Sequence, residues 1–277
     1  MAASTPRPPP PGLPGDAEPA AWLRIWRRHG PRPLVGLACA IVLAQAYVVI
    51  DARPGDVLTG ISGIADIVRR GVPPDPAVLE AAVYQSLVTV DVAIIGTALA
   101  IAFSLLLAFW AAENVSPGRP LYLVSRSIIA VFRAIPDIVW ALLFVTAVGL
   151  GPFAATMGLA VHSIGILGRL YAEAIEDVNM ASINALVVTG AGRLQVATHA
   201  VLPATLPTLI GLTLYRLDTN VRSSLVLGFV GGGGLGFAIQ NALNLFQYRR
   251  LLALLVVMAL LIAGVEAVAV ALRRTIH

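Results

Sequence analysis

From Leu34 to Leu272 the chain returns repeatedly to apolar stretches long enough, or nearly long enough, to cross a bilayer. These are Leu34–Ile50, Leu87–Ala111, Leu121–Leu150, Phe153–Tyr171, Pro203–Val230 and Leu251–Leu272. A helix needs about 20 apolar residues to traverse the hydrocarbon core. In that solvent every backbone N–H and C=O must be paired within the protein, which leaves helices or closed barrels. Aromatic residues make up only 6% of the chain, too few for the girdles of a barrel, while small and aliphatic residues favour closely packed helices. The expected fold class is therefore an all-α membrane protein with about six transmembrane helices. Charge content agrees: 12% of residues are charged and 58% hydrophobic, whereas a soluble domain carries about 25% charged residues.

The charged residues also give orientation. Net charge is +4, and every basic residue is Arg because the sequence contains no Lys. The arginines gather beside apolar spans, as the positive-inside bias requires, rather than in a patch suited to nucleic acid. Residues 1–20, with the run Pro8-Pro9-Pro10-Pro11, have the composition of a disordered tail. Arg24, Arg27, Arg28 and Arg32 with Trp22 and Trp26 read as an interfacial segment on the inner side. Residues 21–83 then comprise that segment, the first span and an external loop, in which Val57–Arg70 forms a short amphipathic helix. A core follows over 84–272. Six spans with the N-terminus inside place 113–120 and 173–202 in the cytoplasm, and Arg119, Arg126, Arg169 and Arg193 agree; Arg249 and Arg250 fall outside and run against the bias.

Several local patterns bear on chemistry. Arg133-Ala134-Ile135-Pro136-Asp137 interrupts the third span, and Pro136 removes a backbone bond and should kink the helix. Gly231-Gly232-Gly233-Gly234-Leu235-Gly236 satisfies a dinucleotide-type spacing, but spans flank it where a strand is required, so it reads as a turn or hinge. Ser62 in Gly60-Ile61-Ser62-Gly63 lies outside the spans and does not pair with His162 as a protease would need. Without Lys no nucleotide-binding P-loop is present. Cys39 is alone, and His162 and His199 are solitary, so no metal site is assigned.

Residues 184–203 read Asn184-Ala185-Leu186, then Gly190, then Leu202-Pro203. This resembles the EAA loop of binding-protein-dependent ABC importers, in which two short helices meet at a glycine and dock into the ATPase; Asn184 stands where that pattern has Glu. The blocks Arg133–Phe144, Gly168–Glu176 and Leu214–Ser224, running on to Gly231, resemble the permease of phosphonate-type importers over roughly residues 84–270. The resemblance implies a type I ABC importer core of the methionine-importer kind. It also implies a second copy of the chain, two copies of an ABC ATPase that bind ATP and Mg, an external substrate-binding protein, a place in the bacterial cytoplasmic membrane and no cofactor in this chain. The cargo it implies is phosphonate, phosphate or a similar oxyanion.

Within that frame, Arg133, Arg216, Asn220 and Arg222 are candidates for the substrate path, since intramembrane arginines raise the potential for an anion and fork onto phosphate-like oxygens. Asn184, Ala185, Gly190, Leu202 and Pro203 are candidates for the ATPase-coupling loop at 173–203. Pro136, Asp137 and Asp218 are structural or hinge candidates. Arg216 and Arg222 are six apart and so on opposite sides of a helix, while Asp218 and Arg222 share a face and form either a structural pair or part of the path. A self-contained secondary transporter and an intramembrane protease are the alternative classes.

Overall fold

The structure, a computed structural model, describes residues 32–51, 53–179, 181, 186 and 188–276. The proline-rich tail, the segment containing Trp22 and Trp26, and both Asn184 and Ala185 lie outside the described residues. Every regular element among the described residues is helical. The chain divides into two units, Met1–Ile64 and Ala65–His277. The first contains α1 (Arg32–Ile50) and the opening turns of α2 (Pro54–Gly71). The second contains the end of α2 and then α3 (Leu79–Ala111), α4 (Arg119–Ala134), α5 (Asp137–Val148), α6 (Pro152–Glu176), α7 (Leu202–Leu227), α8 (Gly234–Asn244) and α9 (Tyr248–Ile276).

Among the described residues four helical stretches are long and apolar enough to cross a membrane, a fifth is counted if the bent pair α4–α5 is one span, and Leu34–Ile50 is a shorter apolar helix. These are the six stretches read from the sequence, with different edges. α3 begins at Leu79 rather than Leu87. The Asp75 carboxylate accepts the Ala77 N–H at 3.0 Å and Pro76 opens the turn that feeds α3, a sequence start signal. At 33 residues and about 1.5 Å per residue, α3 is about 50 Å long and outruns the roughly 30 Å hydrocarbon core.

The third span is not one kinked helix. α4 and α5 meet at 88°. Ile135, held extended before Pro136 (φ −91°, ψ 123°), ends α4, and Asp137 restarts the chain as α5. α8 is also absent from the sequence reading, which left 237–250 without an element. It follows the glycine run and packs on α3 and α9.

α6 is the centre of the second unit. It packs against α3, α4, α5 and α7, and 61% of its spanning window is buried against 11% for α9. Glycine makes that possible where the broken span crosses it. A Cβ at Gly158 would overlap the backbone of Ala141 in α5, and one at Gly165 would overlap the backbone of Phe132 and Arg133 in α4. Small residues at such crossings let helix backbones approach closely in a membrane.

Arg249, one of the two arginines that run against the charge bias, has structural work at the start of α9. Arg249 Nε donates to the Pro73 carbonyl at 2.9 Å, and its own carbonyl accepts the Asp75 N–H at 3.2 Å. The Arg70 guanidinium sits 6.0 Å from the Tyr248 ring centroid. Arg249 thus fastens the 72–75 loop.

Candidate functional site

The corner between α4 and α5 exposes backbone groups that a bilayer cannot satisfy, and the protein supplies partners for them. His162 Nδ1 lies 2.9 Å from the Ile135 carbonyl; a carbonyl only accepts, so Nδ1 carries the proton. Trp140 Nε1 donates to the Phe132 carbonyl at 3.3 Å, and its ring meets Phe132 edge-on at 5.8 Å between centroids. Asp137 Oδ1 accepts the Ile138 N–H at 2.9 Å, and the Pro136 carbonyl accepts Val139 and Trp140 N–H. Irregular backbone at membrane depth is tolerated when it is buried in protein or lines a polar cavity.

One turn of α6 carries both this corner and Arg216. His162 caps the break, Gly165 packs beneath Arg133, and Ser163 accepts a hydrogen bond from Arg216 Nε at 3.1 Å. The line continues without a gap: Ser163 Oγ donates to Asn220 Oδ1 at 3.2 Å, Asn220 Nδ2 donates to Thr97 Oγ1 at 2.8 Å, and Thr97 Oγ1 donates to the Ala93 carbonyl at 2.6 Å. Three helices, α7, α6 and α3, are tied by it. Ser163 and Asn220 are fully buried and Arg216 is 7% exposed.

Arg216 is held at one edge and open at the other. Three buried side-chain polar atoms lack a partner among the described residues: Asn114 Oδ1, Ser125 Oγ and Arg216 Nη2. Only Arg216 is charged. It forms no ion pair among the described residues.

The other candidate residues are placed as follows. Arg133 is exposed and without an ion pair among the described residues, at the rim of a cleft of 380 Å³. Arg222 turns to the opposite side of α7 from Arg216, with Nη2 3.1 Å from Asp218 and 3.5 Å from Glu266 of α9. Asn220 is brought to Arg216 through Ser163, but both ends of its carboxamide are engaged inside the bundle. Pro136 and Asp137 form the corner itself. Gly190 adopts φ +86°, and the Ala191 N–H closes back onto the Leu186 carbonyl at 3.2 Å. Leu202 packs against the core cluster to which Tyr171, Ile175 and Val201 belong, and Pro203 stands in the first turn of α7.

The rejected motifs stay occupied by local bonds. Ser62 Oγ donates to the Thr59 carbonyl at 2.8 Å, and His162 is engaged at the corner. In the glycine run the Gly231 carbonyl accepts the Gly151 N–H at 3.0 Å, and the Leu235 N–H donates to Thr89 Oγ1 at 2.9 Å. No cluster of metal-ligating side chains occurs among the described residues. Sequence reasoning missed Ser163, Thr97 and the capping role of His162; their signal is a neutral polar residue inside an apolar span, which usually bonds across helices.

The profile of binding-protein-dependent transport system inner membrane components matches residues 104–277. The phosphate-import permease protein PhnE of Mycolicibacterium smegmatis is 40% identical over 81% of this chain, which spans 42% of that relative's length. The phosphite transport system permease protein PtxC of Stutzerimonas stutzeri is 34% identical, with 90% of each chain covered. Among solved structures, an inward-facing MetNI methionine ABC transporter chain superposes with a TM-score of 0.63 at 21% identity, over 73% of this chain and 99% of that one. A chain of a bacterial ABC transporter for the acidic polysaccharide alginate gives 0.58 at 16% identity, over 91% and 99%. The broken span packed on a glycine-bearing central helix therefore sits in a known permease fold, and the chain belongs to the family of inner-membrane components of binding-protein-dependent transport systems.

Proposed function

We propose that this chain is the transmembrane permease of an ATP-driven importer that moves a phosphate-like oxyanion inward by alternating access. The observation that carries the cargo class is Arg216: a guanidinium in the bundle interior, fixed through Nε, with Nη2 buried and unpartnered beside the broken span. A charge inside a membrane bundle costs about 2.5–3.5 kcal/mol on insertion scales, and an arriving anion offsets that cost with paired N–H donors. The names of the relatives, phosphate-import and phosphite permeases, support the same class.

In this reading Arg216 and Arg133 meet the cargo. Ser163, Asn220 and Thr97 aim Arg216 without touching cargo, and Asp218 and Glu266 hold Arg222 as a clamp between α7 and α9. Residues 173–203, with Asn184, Ala185, Gly190, Leu202 and Pro203, dock on the ATPase. Among the described residues no atom lies within 4 Å of a Cβ placed at Gly190, so the demand for glycine there is its left-handed backbone. Two ATPase subunits bind ATP and Mg, this chain binds no cofactor, a second copy completes the pathway, and an external binding protein delivers cargo.

The test is uptake of phosphate and methylphosphonate in vesicles reconstituted with the ATPase and the binding protein, normalised to assembled complex. Arg216→Gln and Arg133→Gln should each lower uptake at least about tenfold, a loss of about 1.4 kcal/mol, while ATPase assembly survives. Uptake at the parent rate in both variants would place the path elsewhere. Uptake that persists without ATP would make the protein a secondary transporter.

A further inference from the structure

α4 carries Arg119, Arg126 and Arg133 at intervals of seven residues. Seven residues make nearly two turns, so the three side chains leave one face, successive ones about 10 Å apart along the axis. Arg126 and Arg133, with Arg169 from α6, line the 380 Å³ cleft between the two helices. Two of the three have carboxylate partners: Arg126 Nη2 lies 2.7 Å from Glu176, and Arg169 Nε 2.6 Å from Glu173. Arg133 has none among the described residues. Lipid is a poor neighbour for such a face, because each charge is expensive in hydrocarbon. The face needs water, an anion or protein against it.

We propose that this cleft is a second anion site, on the cytoplasmic leg of the path, that receives a phosphate-like oxyanion after Arg216 and passes it to the cytoplasm. The proposal rests on the reading of the chain as an oxyanion permease. Arg133, at the corner and unpaired, is the open donor. Arg126 and Arg169 are already balanced by Glu176 and Glu173, and Arg126 Nε also donates to the Ala111 carbonyl at 3.1 Å. An oxyanion therefore competes with carboxylates for the lower two guanidiniums. That competition keeps binding weak enough for release, as conduction requires.

A phospholipid headgroup offers the same chemistry, so the experiment separates the two sources. Ala130 lines the cleft between Arg126 and Arg133, and Ala130→Cys in a Cys39→Ser background leaves every arginine in place. The complete importer in phosphatidylcholine vesicles is treated with a membrane-impermeant thiol reagent on the ATPase side. Modification should occur, and inorganic phosphate at ten times its half-protecting concentration should slow it about tenfold, an effect lost in Arg133→Gln. An unreactive thiol, or a rate indifferent to phosphate and methylphosphonate, overturns the proposal. Protection by phosphatidylglycerol and not by phosphate assigns the cleft to a headgroup and overturns it too. Should Ala130→Cys fail to assemble, Arg169 decides: Arg169→Gln should lower uptake severalfold with ATPase stimulation intact, Arg169→Lys, which keeps the charge, should lower it less, and equal uptake in both overturns the site. If the parent importer moves neither anion, the reading of its cargo fails; if it moves them and the thiol is unprotected, only the cleft proposal fails.

Discussion

Arg216 and Arg222 lie on one helix six residues apart and live in different electrostatic worlds. Arg216 points to α6 and has hydroxyl and amide neighbours, while Arg222 points to α9 and has two carboxylates, Asp218 at 3.1 Å and Glu266 at 3.5 Å. The Asp218 side chain is only 11% exposed, and that of Arg222 is 49% exposed. Removing the cation leaves a mostly buried carboxylate without its partner. Half-exposed pairs contribute less than buried ones, so Arg222→Gln should destabilise the assembled protein by about 1–2 kcal/mol. Adding Asp218→Asn should restore part of that loss, because the orphaned charge goes with it. Thermal unfolding of the purified complex measures both, and a double variant no more stable than the single one would show that the pair is not a clamp.

The right-angle corner between α4 and α5 is set by the helix that follows it, α6. Pro136 marks where the chain must break, but the angle of 88° is shaped by the α6 surface on which both halves rest. Gly165→Val would force a branched side chain into the backbone of Phe132 and Arg133. Overpacking costs about 1–3 kcal/mol and occasionally more, and here no flexible side chain can yield. Folded yield should therefore drop steeply, as read by size-exclusion chromatography in detergent, and Gly165→Val of parental yield and uptake would show that the corner is held otherwise. The order of the apolar spans and the face shared by Asp218 and Arg222 were legible in the sequence, the first from hydropathy and the second from helical periodicity. The corner angle, the early start of α3 and the line from Thr97 to Arg216 were not. The first rests on backbone contacts with Gly158 and Gly165 of the next helix, and the last joins helices far apart in sequence through small neutral residues; neither leaves a periodic trace. The start of α3 was signalled by Asp75-Pro76 but hidden by the assignment of the residues up to 83 to an external loop. α8 was hidden because eleven residues without a charge, just after a glycine run, look like a continued turn.

At the scale of the molecule, α6 is sealed and α9 is open, with 61% and 11% of their spanning windows buried. Such asymmetry suits a subunit whose outer helices meet lipid or another chain. The polar line through the middle has a further consequence, for the source of energy. A proton wire needs members that can each give and take a proton and then turn over. Along Arg216, Ser163, Asn220, Thr97 and the Ala93 carbonyl, every donor faces the same way. A guanidinium stays protonated at any physiological pH, and a carboxamide carries no proton it can surrender. The line is a strut, and it insulates where a wire would conduct. Uptake driven by ATP in reconstituted vesicles should therefore be indifferent to a protonophore that collapses the pH gradient, measured as initial rate with and without the uncoupler; a severalfold loss on uncoupling would mean that protons cross this bundle by another route.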